Sequence, residues 1–438
     1  MDNLPNLVLD ISKSRLLEIE LEKTLKKLKP RLEELQSIAK NKDYQDDASS
    51  LYLPRDSEFR TQISRAINSI AQERLRYLII VGIGGSNLGT MAIYDALRGM
   101  PRWLDPEDPN ILFLDTVESD LMERFKDIIR SEIVEIEEVA VCIISKSGTT
   151  TEAIANASIL LYEMQKRWPN RKLPITVISN RGSELIKLAQ KQEWSILEVP
   201  VKVGGRYSVL SSVGLFPLGL AGFNINSFQK GAYNILEKCL TIDRNNPAVQ
   251  SAAVLWHHLN HGKSINDLFV FRPQLESLGK WYRQLTAESL GKEKDLKGKD
   301  VNAGITPTVS VGSTDLHSIG QLHLGGPLDK VVSFMYATSK ESVEIAQLPI
   351  TKLAKGIHNK TLADIQKAIL QGAVQAYEKK GIPIMQISLP EISEYSIGQF
   401  MQWKMIETML MGELMSVNPF DQPNVEEYKK KTQSILGE

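Results

Sequence analysis

The chain has 438 residues, more than one ordinary hydrophobic core holds, so two or three domains are expected. Its 52 Lys and Arg stand against 53 Asp and Glu for a formal net charge of -1, which leaves no global field for nucleic acid or an anionic membrane and favours a small-molecule partner. Cys142 and Cys239 are the only cysteines and Cys142 lies in an apolar run; no disulfide framework or thiolate metal cage is expected, and a reducing, cytoplasmic setting fits.

The opening stretch MDNLPNLVLDISKSR carries Asp2 and no apolar core behind a basic start, so no signal peptide is predicted. From Ser12 to Lys40, Leu17, Leu21, Leu25 and Leu28, then Leu32 and Leu35, recur at helical spacing around Pro30, which predicts two amphipathic helices. After the polar stretch 41–50 comes a helix, then a regular alternation: the strand RYLIIVGI (76–83), a helix, ILFLDT (111–116), a helix, VAVCIIS (139–145), a helix and PITVIS (174–179). Apolar β-rich runs separated by helices predict a parallel sheet covered on both faces. The uncharged stretch 208–228 is broken by Ser211, Gly214, Pro217 and Asn224, and reads as a buried segment instead of a membrane span. A second, less regular set of strands follows: TVSVGS (308–313), KVVSFMYA (330–337) and PIMQISL (383–389). The helical stretch 396–415 carries Met401, Met405 and Met409 at i,i+4 spacing, a stripe for the core or a subunit interface. The expected organisation is a helical segment 1–70, a first α/β domain 71–232 and a second 233–438 with C-terminal helices.

Ser145-Lys146-Ser147-Gly148-Thr149-Thr150 follows a strand and precedes a helix. The first N–H groups of a helix lack intrahelical partners and its dipole is positive there, so hydroxyls and Lys146 at that point make a phosphate site, with an N-capping turn as the bland alternative. Gly82 to Gly89, GIGGSNLG, occupies the position of a dinucleotide loop, but Asn87 stands where G-x-G-x-x-G needs its last glycine. Glycines that admit a small polar ligand, with Ser86 presenting a hydroxyl, fit better. Arg206, in Gly204-Gly205-Arg206-Tyr207-Ser208, is a cation against an apolar neighbourhood and needs an anion, structural or substrate.

Glu276 and Glu288 lie in near-duplicate segments 12 residues apart, rotated by roughly 120° on one helix, so only one faces a given cleft. Gln284, one turn before Glu288, tips the balance toward Glu288 without closing the question. His317 follows a strand in GSTDLHS, where a group titrating near neutrality serves as acid or base. His257, His258 and His261 form HHxxH without a carboxylate or cysteine at ligand spacing, which reads as a wet helix end. Gln422 and Lys429 are two helical turns apart and can share a site, unless they belong to a solvated basic end.

In order along the chain, VGIGGSNLG, ISKSGTTTE, GGRYSVLSSVG, QLTAESLGK, GSTDLHSIGQ and FDQPNVEEYKK make the sequence resemble the glucose-6-phosphate isomerase family in its shorter bacterial form, from about residue 75 to the end. The resemblance implies two SIS (flavodoxin-like) α/β domains with helical extensions at both termini, no cofactor or metal, and reversible isomerisation of glucose 6-phosphate and fructose 6-phosphate through a cis-enediol. It makes Ser145, Lys146, Ser147 and Thr150 the phosphate clamp, helped by Gln422, with Gly85 and Ser86 at the sugar. Glu288 becomes the base, since the pattern Gln-x-x-x-Glu-Ser-x-Gly-Lys fits Gln284 and Glu288 and not Glu276. Arg206 becomes the enediolate's cation, and His317 and Lys429 the ring-opening groups. A homodimer is implied, with His317 completing the neighbouring site. The stretch from Glu288 to His317 looks longer than in compact members, with a lysine-rich insert near 293–300, which implies a different lid. Acceptance of mannose 6-phosphate, or a sugar-phosphate sensor without chemistry, are the alternatives.

Overall fold

The computed structural model describes residues 5–70, 74–99, 108–339 and 341–437; Asp2 lies outside them. The chain divides into two compact units, Glu34–Tyr233, and Met1–Glu33 with Asn234–Glu438. The expected segment 1–70 is therefore shared between them. Val8–Asp10 forms a strand (β1) of the second unit's sheet, too short for its alternation to show in the sequence. The helix Glu18–Ile38 runs unbroken through Pro30, against the expectation of two helices. A helical proline costs ~3 kcal/mol, but Leu28 and Leu32 on either side of it are fully buried, and a buried leucine returns ~1.5–3 kcal/mol.

In the unit Glu34–Tyr233 five strands, Tyr77–Val81 (β2), Asn110–Leu114 (β3), Val139–Ile144 (β4), Ile175–Asn180 (β5) and Ser195–Val199 (β6), pair in parallel in the order β3-β2-β4-β5-β6. This is the flavodoxin-like order, with its switch point between β2 and β4. β2 and β4 are buried along their whole length, as a sheet covered on both faces requires. The helix Ser212–Leu220, inside the uncharged stretch 208–228, is buried too. Among the described residues no helix is long and apolar enough to cross a membrane.

The second unit repeats the arrangement. Ile265–Val270 (β7), the hairpin strands Lys292–Lys294 (β8) and Asp300–Ala303 (β9), Thr306–Val311 (β10), Lys330–Ala337 (β11) and Ile384–Leu389 (β12) follow in sequence. The main sheet has the order β1-β12-β11-β7-β10, parallel except for β1 at its edge. β7 escapes sequence reading because its first half is polar: Asn266 and Asp267 are buried in the sheet among hydrogen-bond partners. The helix Glu394–Met415 is buried on nearly every face and packs against the helices Pro247–Leu259 and Glu276–Leu290. Met401, Met405 and Met409 are thus core residues of this unit.

Candidate active site

The loops after β2 and β4 leave the carboxyl ends of the two strands that flank the switch point, where α/β sheets bind ligands. In the loop after β4, Ser145 is buried; its Oγ accepts the Gly148 N–H (3.1 Å) and lies 2.9 Å from Thr150 Oγ1. Gly148 has φ +76° and a Cβ there would press on Leu185 at 3.0 Å, so this glycine shapes the turn. Ser147 Oγ accepts the Thr149 N–H (3.3 Å). Thr150 is the N-cap of the helix Thr151–Arg167 but makes no side-chain bond to its first turn, which leaves that end a donor surface for an anion. Desolvation, with Arg206 and Lys202 adding and Asp47 opposing, pushes the Lys146 ammonium below the ordinary lysine range.

The loop after β2 meets the Arg206 loop backbone to backbone. A Cβ on Gly85 would sit 2.3 Å from Gly205 C and 2.6 Å from Arg206 N, so only glycine permits this approach. Ser86 ends the short helical turn Gly84–Ser86 beside it. Arg206 is buried, with its guanidinium 5.6 Å from the Tyr207 ring. The structure therefore brings Gly85 and Ser86 to Arg206, and Lys146 within electrostatic reach of Arg206.

In the second unit Gln284 and Glu288 lie on the helix Glu276–Leu290. Gln284 Nε2 donates to Glu288 Oε1 (2.9 Å), while Gln284 Oε1 is buried with no hydrogen-bond partner. Glu276, at the other end, pairs with Lys280 at the surface (2.8 Å). The helix body is fixed by Tyr282, whose OH donates to Glu407 Oε1 (2.6 Å); Glu407 Oε2 takes the buried Lys404 ammonium (2.6 Å). Burial pushes the Tyr282 phenol well up and lowers Lys404, against the pull of Glu407. Asp421, which precedes Gln422, reaches the end of the same helix through Lys292. Lys429 lies further on, in the helix Val425–Leu436, paired with Glu426 (2.7 Å).

His317 is exposed in the turn Thr314–His317. Asp315 holds this turn at the carboxyl end of β10 by accepting the Val311 N–H (2.7 Å), and a Cβ on Gly312 would meet the Phe271 ring at 2.8 Å. Glu288 lies at the opposite end of β10. Gly279 packs on Val309, and the helix then runs on until Gly291 abuts Gly304, which precedes β10. A six-residue strand spans roughly 20 Å, so within this unit His317 and Glu288 are not brought together.

The phosphoglucose isomerase family model matches residues 52–438. The chain belongs to this family. It is 35% identical over 363 residues to a probable glucose-6-phosphate isomerase of Methanococcus maripaludis, covering 82% of this chain and 78% of the relative. Identity to the glucose-6-phosphate isomerase of Leptospira interrogans is 34% over 402 residues, covering 88% and 86%. A crystal structure of a glucose-6-phosphate isomerase from Chlamydia trachomatis superposes with TM-score 0.82 at 19% identity, covering 99% of this chain and 88% of that one, which shows the shared fold. A hypothetical protein from Thermus thermophilus superposes with TM-score 0.85 at 29% identity over 99% and 100%.

Around these phosphoglucose isomerase motifs stand residues that had no sequence signal. Asp47 and Lys202 form an ion pair (3.0 Å) whose charges both reach Lys146, yet they lie 155 residues apart. Tyr282 and Glu407 are likewise separated by 125 residues. The stretch 293–300 lies within the β8–β9 hairpin. HHxxH is only partly a wet helix end: His258 is buried, with Nε2 2.7 Å from the Ser14 carbonyl and its pKa pushed down to about 4 by burial. Among the described residues no group of three or more His, Cys, Asp or Glu is placed to hold a metal ion.

Proposed function

We propose that the chain is an aldose-ketose isomerase that interconverts glucose 6-phosphate and fructose 6-phosphate through a cis-enediol. The observation that carries the reading is the family match over 52–438, which takes in every residue assigned a role here. The 6-phosphate is held by Ser145, Lys146, Ser147 and Thr150, with Gln422 adding a side-chain amide, and Gly85 and Ser86 contact the sugar. Remote phosphate binding orients the reacting carbons. Glu288, as carboxylate, takes the proton from C2 of the open-chain aldose and returns it to C1, and Gln284 aims it through the 2.9 Å hydrogen bond. The partnerless Gln284 Oε1 is an acceptor for a sugar hydroxyl. Arg206 stabilises the enediolate oxygen.

His317 and Lys429 open the ring. The separation of His317 from Glu288 along β10 supports a homodimer in which the neighbouring subunit supplies this histidine. The enzyme works in the cytoplasm on a hexose 6-phosphate and needs neither nucleic acid nor membrane. A coupled assay with fructose 6-phosphate tests the reading, with mannose 6-phosphate run in parallel. Turnover of fructose 6-phosphate to glucose 6-phosphate is expected; tight sugar-phosphate binding without turnover would instead make the protein a sensor.

A further inference from the structure

Lys292 stands two residues beyond the end of the helix that carries Glu288, and its side chain is only 4% exposed. A buried ammonium needs close acceptors. Its Nζ donates to the main-chain carbonyl of Glu288 itself (2.7 Å) and to the carbonyl of Asp421 (2.7 Å), and lies 3.3 Å from Asp421 Oδ1. The Glu288 carbonyl is among the last four of the helix, which have no intrahelical donor, and a cation there also suits the helix dipole. Gly291 makes the turn possible: it leaves the helix with ψ 100°, and a Cβ on it would come within 2.8 Å of the Ala287 carbonyl oxygen. The chain can then fold the Lys292 side chain back under the helix end.

Two further bonds tie the same pieces together. Asn424 Nδ2 donates to Glu293 Oε2 (2.9 Å) and the Leu296 N–H to the Ser416 carbonyl (2.8 Å). Tyr282 anchors the helix body to Glu407, but Glu288 lies beyond that anchor, in the final turn where helices fray.

We propose that Lys292 is a positioning residue: it fixes the last turn of the helix, and with it the Glu288 carboxylate, against the Asp421–Gln422 segment, so that the base and the phosphate-side amide of Gln422 keep one spacing. The inference rests on the isomerase reading above. Lys292 touches no reacting atom; it acts through the Glu288 backbone. An error of about 1 Å in such a group costs on the order of 10²-fold in rate.

Lys292→Met keeps the apolar stem and removes the donors. With fructose 6-phosphate its kcat should fall about 10- to 100-fold while KM changes by less than about threefold, and the deuterium isotope effect on glucose 6-phosphate labelled at C2 should rise, since proton transfer alone is slowed. Lys292→Arg, which keeps the charge but displaces the donors, should fall between wild type and Lys292→Met in kcat and in isotope effect. If Lys292→Met does not fold, Lys292→Arg carries the same two readouts. Wild-type kcat and isotope effect per folded molecule in either variant, with only thermal stability reduced, would overturn the proposal. A wild-type protein with no turnover would instead overturn the isomerase reading.

Discussion

The loop Ser145–Thr150 and the residue Glu288 are held in place by opposite means. In the loop, Ser145 bonds to groups three and five residues away, Gly148 N–H and Thr150 Oγ1; the strand before it and the helix after it complete the geometry. Glu288 also has a local partner, Gln284, but its helix is located by Tyr282 on Glu407, 125 residues distant, and by Lys292 on Asp421, 129 residues distant. The loop's shape rests mainly on these short-range bonds, with a tie to the neighbouring strand, where Ser179 Oγ donates to the Ser145 carbonyl (2.6 Å). Glu288, placed through long-range buried bonds, depends on the packing of the second unit.

That contrast can be broken most forcefully at Glu407. Glu407→Ala leaves the Lys404 ammonium buried without its carboxylate and Tyr282 without its acceptor, and breaking such a buried pair costs about 3–5 kcal/mol. Chemical denaturation should show this loss, and kcat at low temperature should fall with it as the helix carrying Glu288 loosens. Ser145→Ala is the smaller and more confined counterpart. It removes the hydroxyl that orders the loop, so KM for fructose 6-phosphate should rise about tenfold with kcat little changed, and stability should fall by ~1–3 kcal/mol for the buried Gly148 N–H left without its acceptor, less than in Glu407→Ala. A stability loss from Ser145→Ala as large as that from Glu407→Ala, or none from Glu407→Ala, would erase the distinction between the two regions.

The same distinction explains what can be read from the sequence. The SKSGTT loop, the glycines of GIGGS and the Gln284–Glu288 pair are spelled by neighbouring residues, and β2, β4 and β11 by continuous apolar runs, but the approach of Gly85 to Gly205 is not. β7 is hidden because Asn266 and Asp267 break its apolar pattern, though Tyr282, Thr308 and Ser310 bond them in the folded sheet. β1 pairs with β12 across nearly the whole chain, and three residues carry no usable period. Pro30 signals a break that the burial of Leu28 and Leu32 overrides. Lys292 stands inside a recognisable motif, but its role lies in a contact with Asp421 that spacing does not encode.

The proposed transfer of the proton between C2 and C1 by Glu288 is the step on which every other proposed role depends. Incorporation of solvent deuterium into the sugar phosphate by Glu288→Gln probes it, with Glu276→Gln as the surface control, since Glu276 pairs locally with Lys280. Glu288→Gln should keep its fold and sugar-phosphate binding and lose exchange by ~10²- to 10⁴-fold, with Glu276→Gln near wild type. Near-normal exchange in folded Glu288→Gln would show that another group moves the proton.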